Sequence, residues 1–371
     1  MPDTSARKIL IAPLDWGAGH TTRCLPLMAH LQALGHQPVF AGNAAQQAIV
    51  RSHMGSNVPM LPLEGYNVFY SSLNRVLQTG LLLQVPRILA AIKAEHKWLL
   101  RTVADNGIDG IISDNRYGLW HPTVPSVIIT HQLQVLTGAG AMADAAVRWL
   151  HYRMLARFGQ VWVPDVPEEN GLAGRLAHPL ALPPHTTYIG WLSRYAGCAS
   201  APAATHAPLL VLLSGPEPQR TLLSQLLWQQ VLRHDGPVIF AEGTDHATRP
   251  AHIPPHVQWR TRLAGDDLQK ALQEAALVVC RSGYSTLMDL AATGNRALLI
   301  PTPGQTEQEY LARHVERKGE HMATPQSASL IRRAFANWGA MGGRNAIVAN
   351  GHQLYHPILE QWAASLPQAM R

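Results

Sequence analysis

Two positions in the first third of the chain carry residue types that suit acid–base chemistry. His20 follows the glycine loop Gly17-Ala18-Gly19 at the start of a predicted helix, where an imidazole can act as a base near neutral pH. Asp114 ends an apolar run that predicts a buried strand. On the same rim of a sheet, its carboxylate could fix the tautomer of the imidazole and stabilise the imidazolium. The alternatives are that His20 caps its helix and that Asp114 caps the next turn.

Two loops in the second half of the chain predict an anion site. Ser214-Gly215 and Ser282-Gly283 each lie between a predicted strand and a predicted helix. Free backbone N–H groups and the helix dipole attract anions at a helix start, so two such loops in one domain suit a diphosphate. Thr286, in the first turn of its helix, can donate its hydroxyl, whereas the acid Asp289 suits sugar hydroxyls rather than phosphate.

A third loop opens a helix with amide and acid side chains. Gln305, Gln308 and Glu309 follow the last predicted core strand. They are hydrogen-bonding groups of the kind that bind sugar hydroxyls. The alternative for each of them is a solvated helix start.

Alternating strands and helices position these residues. The predicted strands are Lys8–Pro13, Pro38–Ala41, Val58–Leu63, Ile108–Ser113 and Val124–Thr130, then Pro208–Leu213, Val238–Glu242, Val257–Trp259, Leu277–Cys280 and Ala297–Pro301. A Pro-, Gly- and Ala-rich stretch at 165–207 separates the two halves. This alternation predicts two α/β domains with parallel sheets, whose ligands bind at the carboxyl ends of the strands. A leucine-rich region at 72–104, interrupted at Pro86, predicts a helix packed on the sheet or, alternatively, an apolar face that meets a lipid.

Composition narrows the class of protein. The 371 residues suit two domains, and a hydrophobic content of 47% disfavours a disordered chain. No apolar run is long enough to span a membrane, and no secretory signal is expected. Cys24, Cys198 and Cys280 lack short spacings, which disfavours a disulfide framework and predicts a cytoplasmic protein.

Three other ligand classes are not favoured. A dinucleotide fingerprint fails because Thr22 replaces the third glycine and the second strand leads to Asn43 rather than to an acid. The net charge is +6, but no run of Lys and Arg exceeds two residues, so nucleic-acid binding is not predicted. No Asp-x-Asp pair occurs, and His352 and His356 are interpreted as surface residues rather than metal ligands, so no metal site is predicted.

Several of these motifs together carry a family resemblance. In chain order they are Gly17-Ala18-Gly19-His20, Val278-Val279-Cys280-Arg281-Ser282-Gly283, Thr286, Asp289 and Gln308-Glu309-Tyr310. They resemble the GT-B nucleotide-sugar glycosyltransferases. The most similar branch is the glycosyltransferase family 28-like one that includes the N-acetylglucosaminyltransferase of peptidoglycan lipid-intermediate synthesis. The resemblance extends from Ile9 to about Gly319.

The resemblance implies a fold and an activity. The fold is the GT-B architecture, with two Rossmann-like parallel-sheet domains and an interdomain cleft. Residues 1–190 would form the acceptor-side domain, 191–345 the nucleotide-sugar-binding domain, and 346–371 a C-terminal helix packed back on the first domain. The implied activity is an inverting, metal-independent transfer of a sugar from a nucleotide-diphosphate sugar, UDP-linked by preference, to an acceptor hydroxyl, without a cofactor.

The resemblance also implies residue roles. His20 would deprotonate the acceptor with Asp114 as its partner, Arg194 would touch the diphosphate, and Asp289, where the family usually has the longer Glu, would bind the ribose. Backbone near Arg262-Leu263 would receive the nucleotide base. The implied donor-binding set is Gly17, Gly19, Arg194, Ser214, Gly215, Arg262, Leu263, Ser282, Gly283, Thr286, Asp289, Gln305, Gln308 and Glu309.

The implied partners are a nucleotide-sugar donor and a small-molecule or lipid-linked acceptor, with no nucleic acid. The implied location is cytoplasmic, with peripheral contact at the inner membrane face as an option. The runs 114–118 and 130–133 depart from the acceptor wall of that branch, so acceptor identity does not follow. The alternatives are a nucleotide-sugar epimerase on the same fold and a catalytically silent subunit that binds sugar nucleotides.

Overall fold

The chain divides into two compact units, each with one parallel sheet. The computed structural model describes residues 6–66, 77–135, 140–168, 171–196, 207–337, 349–352 and 354–367, and the side chains of 77–85 and 349–350 lie outside this description. The first unit comprises Met1–Phe69, Gln78–Arg194 and Ala349–Arg371, and the second is mainly Tyr195–Val348. The prediction of two parallel-sheet α/β domains is confirmed.

The first unit is built on a seven-stranded sheet. Its strands are β1 (Lys8–Pro13), β2 (Gln37–Gly42), β3 (Met60–Pro62), β4 (Gly110–Asp114), β5 (Ser126–Ile129), β6 (Gln160–Val163) and β7 (Thr186–Tyr188). The helices α1 (Ala18–Ala33), α2 (Ala44–Met54), α3 (Leu77–Asn106) and α4 (Ala141–Leu155) alternate with them. The strand order is β3-β2-β1-β4-β5-β6-β7, so β1 and β4 are neighbours at the centre.

The second unit repeats this plan with six strands. Its strands are β8 (Leu209–Leu212), β9 (Val238–Ala241), β10 (Val257–Arg260), β11 (Leu277–Cys280), β12 (Ala297–Leu299) and β13 (Met322–Ala323). Its helices are α5 (Gln219–Val231), α6 (Gly265–Glu274), α7 (Tyr284–Thr293), α8 (Thr306–Arg317) and α9 (Ala328–Asn337). The order β10-β9-β8-β11-β12-β13 places the ends of β8, β11 and β12 side by side.

The helix α10 (Tyr355–Ala364) belongs to the first unit. The ring of Trp362 meets that of Trp162 edge to face at 5.6 Å. Gly110 at the start of β4 lies directly beneath this segment, because a Cβ atom there would come within 2.9 Å of Trp362 and Leu366. The C-terminal segment therefore completes the core of the first unit.

Apolar strand residues make the core of each unit. In the first unit, Leu10, Val39 and Ile111 pack with Leu99 of α3. The core of the second unit packs Leu227 of α5 against the strand residues Val211, Phe240, Val279 and Leu298. Each of these sheets is covered on both faces, which explains the near-continuous apolar runs of its central strands. Among the described residues, none of the helices is both long and apolar enough to cross a bilayer.

Several elements differ from the sequence prediction. The helix α3 was expected to break at Pro86, yet it continues through that residue for 30 residues in all. A proline removes one hydrogen bond and strains the preceding turn, which a long helix tolerates as a local distortion. The short strands β6, β7 and β13 and the helix α4 were not predicted.

Candidate functional site

His20 and Asp114 lie in contact at the carboxyl edge of the first sheet. Asp114 is the last residue of β4 and is fully buried, and His20 lies in the first turn of α1 with 17% of its side chain exposed. Nδ1 of His20 is 3.1 Å from Oδ2 of Asp114. The two residues that the sequence predicted as a base and its partner are thus brought together.

The ends of neighbouring strands create this contact. Pro13 of β1 pairs with Asp114 of β4, and the N–H of Leu14 donates to the carbonyl of Asp114 at 2.9 Å. Gly17, with a φ of +91°, turns the chain from β1 into α1 in a region that favours glycine. Gln46 holds this turn by donating to the carbonyl of Leu14 at 3.1 Å. The glycine loop therefore aims His20 back at the end of β4.

A third residue of the site, Arg23, was not singled out from the sequence. Its side chain is 2% exposed, its Nε donates to Oδ2 of Asp114 at 2.7 Å, and its Nη2 donates to Oδ1. The same Nη2 lies 2.9 Å from Nδ1 of His20. Arg23 is three residues after His20, a spacing that puts both side chains on one helix face. That spacing was an available signal.

The surroundings of the pair favour a neutral imidazole and an ionised carboxyl. Burial lowers the pKa of His20, and the neighbouring Arg23 lowers it further, against an opposing effect of Asp114. Burial alone would raise the pKa of Asp114, but Arg23 and His20 together bring it below its usual range. At neutral pH the site can therefore offer an unprotonated ring nitrogen next to a fixed negative charge.

A buried polar network fixes the segment that follows Asp114. Arg116 pairs through Nε with Glu95 of α3, and its Nη1 donates to the carbonyl of Pro13 at 3.3 Å. Glu95 also accepts from the hydroxyl of Tyr66 at 2.9 Å and from the N–H of Gly118 at 2.8 Å. The network ties α3 to the ends of β1 and β4, so it holds the strand ends that carry the site.

Neutral polar side chains lie beside this network. The hydroxyl of Tyr117 is 3.0 Å from Nε2 of His151 in α4. Burial lowers the pKa of His151 to about 4, and burial together with the charge of Asp114 raises that of Tyr117. Both groups are therefore uncharged at neutral pH, and they add hydrogen-bonding capacity rather than charge.

In the second unit, three adjacent strand ends form a candidate anion site. Ser214-Gly215 follows β8, Ser282-Gly283 leads from β11 into α7, and Thr302 follows β12. Gly215 has a φ of +102°, and a Cβ atom there would lie 4.0 Å from Oγ1 of Thr302. That hydroxyl is buried and has no hydrogen-bond partner in the part of the chain that the structure describes. Thr302 was not predicted as a site residue, because only the approach of two loops reveals its unpaired hydroxyl.

A buried cation lies behind these loops. Arg281 is 2% exposed, and its Nη atoms donate to the carbonyls of Ile300 at 3.0 Å, Pro301 at 3.1 Å and Gln219 at 2.9 Å. Burial lowers its pKa to about 10, and within the described ranges no carboxylate forms an ion pair with it. An uncompensated buried guanidinium favours binding of an anion at this edge of the sheet.

Several predicted donor residues are engaged with the protein itself. The hydroxyl of Ser282 donates to the carbonyl of Gln308 at 2.8 Å. The side chain of Gln308 accepts from the N–H of Thr302 at 2.9 Å, and that of Glu309 accepts from the N–H of Gly304 at 3.0 Å. These three side chains shape the loop after β12, and direct contacts with a donor sugar stay a prediction.

Other predicted donor residues lie at the edges of this region. Gly283 is the residue before α7, Thr286 and Asp289 are partly exposed on α7, and Gln305 is the residue before α8. Gly19, in contrast, lies within α1 of the first unit, where its carbonyl accepts from the hydroxyl of Thr22. None of these positions conflicts with the implied roles, and none of the contacts made there identifies a ligand.

Three further donor-binding residues are implied by the resemblance alone. Arg194 lies in the first unit, where its Nη1 is 2.9 Å from Nε2 of His53. Arg262 is 43% exposed and pairs with Asp245 at 3.1 Å. Leu263 lines a cavity of about 430 Å³ beside α6, together with Pro208 and Pro237 at the amino ends of β8 and β9. The donor-binding roles of these three residues stay predictions.

Among the residues described, no group of three His, Cys, Asp or Glu side chains is arranged to hold a metal ion. Cys24 and Cys280 are buried free thiols. Cys24 lies behind the pair of the first unit, with its Sγ 3.9 Å from Oδ2 of Asp114.

Sequence comparison matches a part of the second unit to a known family. Residues 265–334 match the family model described as the glycosyltransferase family 28 C-terminal domain. The UDP-N-acetylglucosamine--N-acetylmuramyl-(pentapeptide) pyrophosphoryl-undecaprenol N-acetylglucosamine transferase of Methylorubrum extorquens is 42% identical over 64 residues. That match covers 17% of each chain. The enzyme of the same name from Acidithiobacillus ferrooxidans is 38% identical over 81 residues, which is 21% of this chain and 22% of that one. The matches thus span less than a quarter of these relatives.

Structural comparison covers nearly the whole chain. The glycotransferase of kitacinnamycin superposes with a TM-score of 0.65 at 16% identity, covering 98% of this chain and 100% of that one. MurG of Acinetobacter baumannii gives a TM-score of 0.60 at 14% identity, with 96% and 99% covered. The spinosyn rhamnosyltransferase SpnG, complexed with thymidine diphosphate, gives 0.60 at 17% identity, with 98% and 97% covered. The chain therefore has the GT-B fold, and its residues 265–334 resemble the glycosyltransferase family 28 C-terminal domain.

Proposed function

We propose that this protein is a glycosyltransferase that moves a sugar from a nucleotide-diphosphate sugar, UDP-linked by preference, to an acceptor hydroxyl with inversion. The observation that carries the proposal is the contact of His20 with the buried Asp114 at the carboxyl edge of the first sheet. A neutral imidazole held by a carboxylate is the arrangement of a general base. The family 28 match and the GT-B fold support sugar transfer as the reaction that this base serves.

Proton transfer is the task of the first unit in this mechanism. As the acceptor oxygen bonds to the anomeric carbon, its proton passes to Nε2 of His20. The bond between that carbon and the diphosphate oxygen breaks, and the electron pair leaves with the nucleoside diphosphate. Attack from the face opposite the leaving group inverts the anomeric configuration. Asp114 accepts a hydrogen bond from Nδ1 of His20 and so orients and stabilises the imidazolium that forms.

Binding of the diphosphate is the task of the second unit. The backbone N–H groups at Gly215 and at the start of α7, the hydroxyl of Thr302 and the buried charge of Arg281 all suit an anion. Fixed donors of this kind stabilise charge as it develops on a leaving group. They supply the stabilisation that a divalent metal can give, and we infer that the transfer needs none.

The acceptor that we infer is lipid-linked, with a small molecule as the alternative. The curated relatives carry undecaprenol in their names. The helix α4 exposes Met142 (90%), Trp149 (62%) and Leu150 (47%), and the guanidinium of Arg153 lies 4.8 Å from the centre of the Trp149 ring. Surfaces that combine apolar and aromatic residues with arginine suit a membrane interface. They support a peripheral position at the cytoplasmic face of the inner membrane.

UDP is expected to raise the melting temperature of the protein in buffer that contains EDTA, because a ligand that binds only the folded state stabilises it.

The Thr302→Val variant keeps the shape of the side chain but loses the unpaired hydroxyl. One hydrogen bond to a charged group contributes about 1.5–3 kcal/mol. We therefore expect its UDP affinity, measured by isothermal titration calorimetry, to fall by roughly 10- to 100-fold.

Thr293→Val is the matched control, because the hydroxyl of Thr293 already donates to the carbonyl of Asp289 within α7. Its UDP affinity should stay at the wild-type value. GDP and dTDP are tested alongside UDP. If none of the three nucleotides shifts the melting temperature at millimolar concentration, the proposed donor site is wrong. A shift with dTDP alone would keep the donor site and replace uridine by thymidine as the nucleoside of the donor.

A further inference from the structure

Arg23 contacts both members of the proposed catalytic pair. Its guanidinium donates to both carboxylate oxygens of Asp114, with Nε 2.7 Å from Oδ2. Its Nη2 is also 2.9 Å from Nδ1 of His20, and the same Nδ1 is 3.1 Å from Asp114. The side chain is almost completely buried. A fixed positive charge is thus built into the site beside the base.

The contacts of the His20 Nδ1 atom with Asp114 and with Arg23 require different protonation states of that atom. Arginine can only donate, and an ionised carboxylate can only accept. When Nδ1 carries the proton and donates to Asp114, Nε2 has the free lone pair that a base needs. When Nδ1 accepts from Arg23, Nε2 carries the proton and cannot remove another. The charge balance between Arg23 and Asp114 therefore controls which form of His20 is present.

We propose that Arg23 is a positioning residue that satisfies the charge of Asp114, so that His20 is not drawn into serving as the counter-ion and stays neutral and ready to accept a proton. This inference rests on the proposed function, because it assigns His20 the role of the base. A carboxylate whose sole partner is an imidazole stabilises the imidazolium. This is useful after proton transfer, but before the transfer it keeps the ring protonated and unable to act as a base. With Arg23 present, the carboxylate orients the ring while its charge is already paired.

Of the charged and titratable groups around His20, only Asp114 opposes the effect of Arg23 on the pKa of the imidazole. Arg23 comes from α1, Asp114 from β4 and His131 from the segment after β5, while the Cys24 thiol and Tyr117 face Asp114. Burial lowers the pKa of His20 most, Arg23 and His131 lower it further, and only Asp114 raises it. Removing the charge of Arg23 leaves Asp114 unopposed. The pKa of His20 must then rise, and its proton must be lost at a higher pH.

The test is a titration of the imidazole nitrogens of the full-length protein by ¹⁵N NMR, with His20 assigned by its loss in His20→Gln. In the wild type we expect His20 to titrate below the ordinary value of about 6.5. In Arg23→Met, a neutral side chain of similar length, its midpoint should rise by more than about one pH unit. The acidic limb of the pH dependence of kcat/KM should shift upward equally, with a loss of several-fold at pH 6 that recovers towards pH 9. Arg23→Lys keeps the charge and should stay near the wild-type midpoint.

Leu27→Ala is the matched control, because Leu27 is fully buried on the same helix and carries no charge. It loosens α1, and its His20 midpoint should equal that of the wild type. An Arg23→Met protein whose His20 titrates at or below the wild-type midpoint would overturn the proposal. If Arg23→Met does not fold, the wild-type protein alone decides. A midpoint of His20 above about 6.5 in the wild type would then overturn the proposal.

The titration needs no substrate, so it separates this inference from the proposed function. A raised His20 midpoint in a protein that transfers no sugar would support the role of Arg23 in setting the charge of the pair and reject the transferase. An unchanged midpoint in Arg23→Met, with a wild-type protein that transfers sugar, would reject the role of Arg23 and support the transferase.

Discussion

Replacing His20 by alanine is expected to reduce the rate of sugar transfer by roughly 10²- to 10⁴-fold, the usual contribution of a general base. The imidazole lies in the first unit, whereas the loops proposed to hold the diphosphate lie in the second. UDP affinity should therefore remain within a few-fold of the wild type. Turnover is measured as release of UDP in the presence of acceptor, and affinity by calorimetry on the same preparation.

His30→Ala serves as the control for this variant. His30 lies on the same helix, and its Nε2 contacts Glu360 at 2.9 Å, away from Asp114. Its turnover should match the wild type. Wild-type turnover in His20→Ala would remove His20 from the mechanism, and a parallel loss of UDP affinity would show that the residue acts in binding instead.

Replacing Glu95 by leucine should destabilise the first unit by about 3–5 kcal/mol, because it leaves the buried Arg116 without its counter-charge. The change also removes the acceptor for the Tyr66 hydroxyl and for the Gly118 N–H. Urea unfolding measures the loss, which should appear as a lower midpoint with an unchanged slope. We expect the double variant Glu95→Leu with Arg116→Met to regain at least half of it, since no buried charge is then left unpaired.

Glu360→Leu is the comparison for this experiment, because Glu360 is half-exposed in its contact with His30. Exposed pairs of this kind contribute less than about 1 kcal/mol. Equal effects of the two leucine variants would contradict the assignment of Glu95 to a network that holds the strand ends.

The fold could be predicted well because its signals are local. Apolar runs such as Ile9–Ala12 and Leu277–Cys280 identify central strands that are buried on both faces. The strand β7, only three residues long, lies in a stretch whose prolines and glycines indicate a linker. It forms because Val161–Val163 of β6 offers a free edge for pairing, and such pairing depends on tertiary contacts rather than on propensity.

The candidate site could be predicted only in part. The proximity of His20 and Asp114 could be predicted, because the carboxyl ends of parallel strands lie at one edge of the sheet. In the structure, the pairing of Pro13 with Asp114 brings these strand ends together. The unpaired hydroxyl of Thr302 could not be predicted, since it depends on how two loops approach each other. The bond from the Ser282 hydroxyl to the carbonyl of Gln308 and the bond from the N–H of Thr302 to the side chain of Gln308 likewise depend on folded geometry. Residue type alone could therefore not separate donor contacts from loop support.

The most direct test of the central claim is the release of UDP from a panel of UDP-sugars in EDTA, with small-molecule and lipid extracts supplied as separate acceptors. The account predicts UDP release that requires an acceptor, is greater with the lipid extract, and yields a product of inverted anomeric configuration. Conversion of a UDP-sugar without any acceptor would instead indicate an epimerase. An absence of turnover with every donor, in a protein that still binds UDP, would contradict the proposed transferase and favour a silent subunit that binds sugar nucleotides.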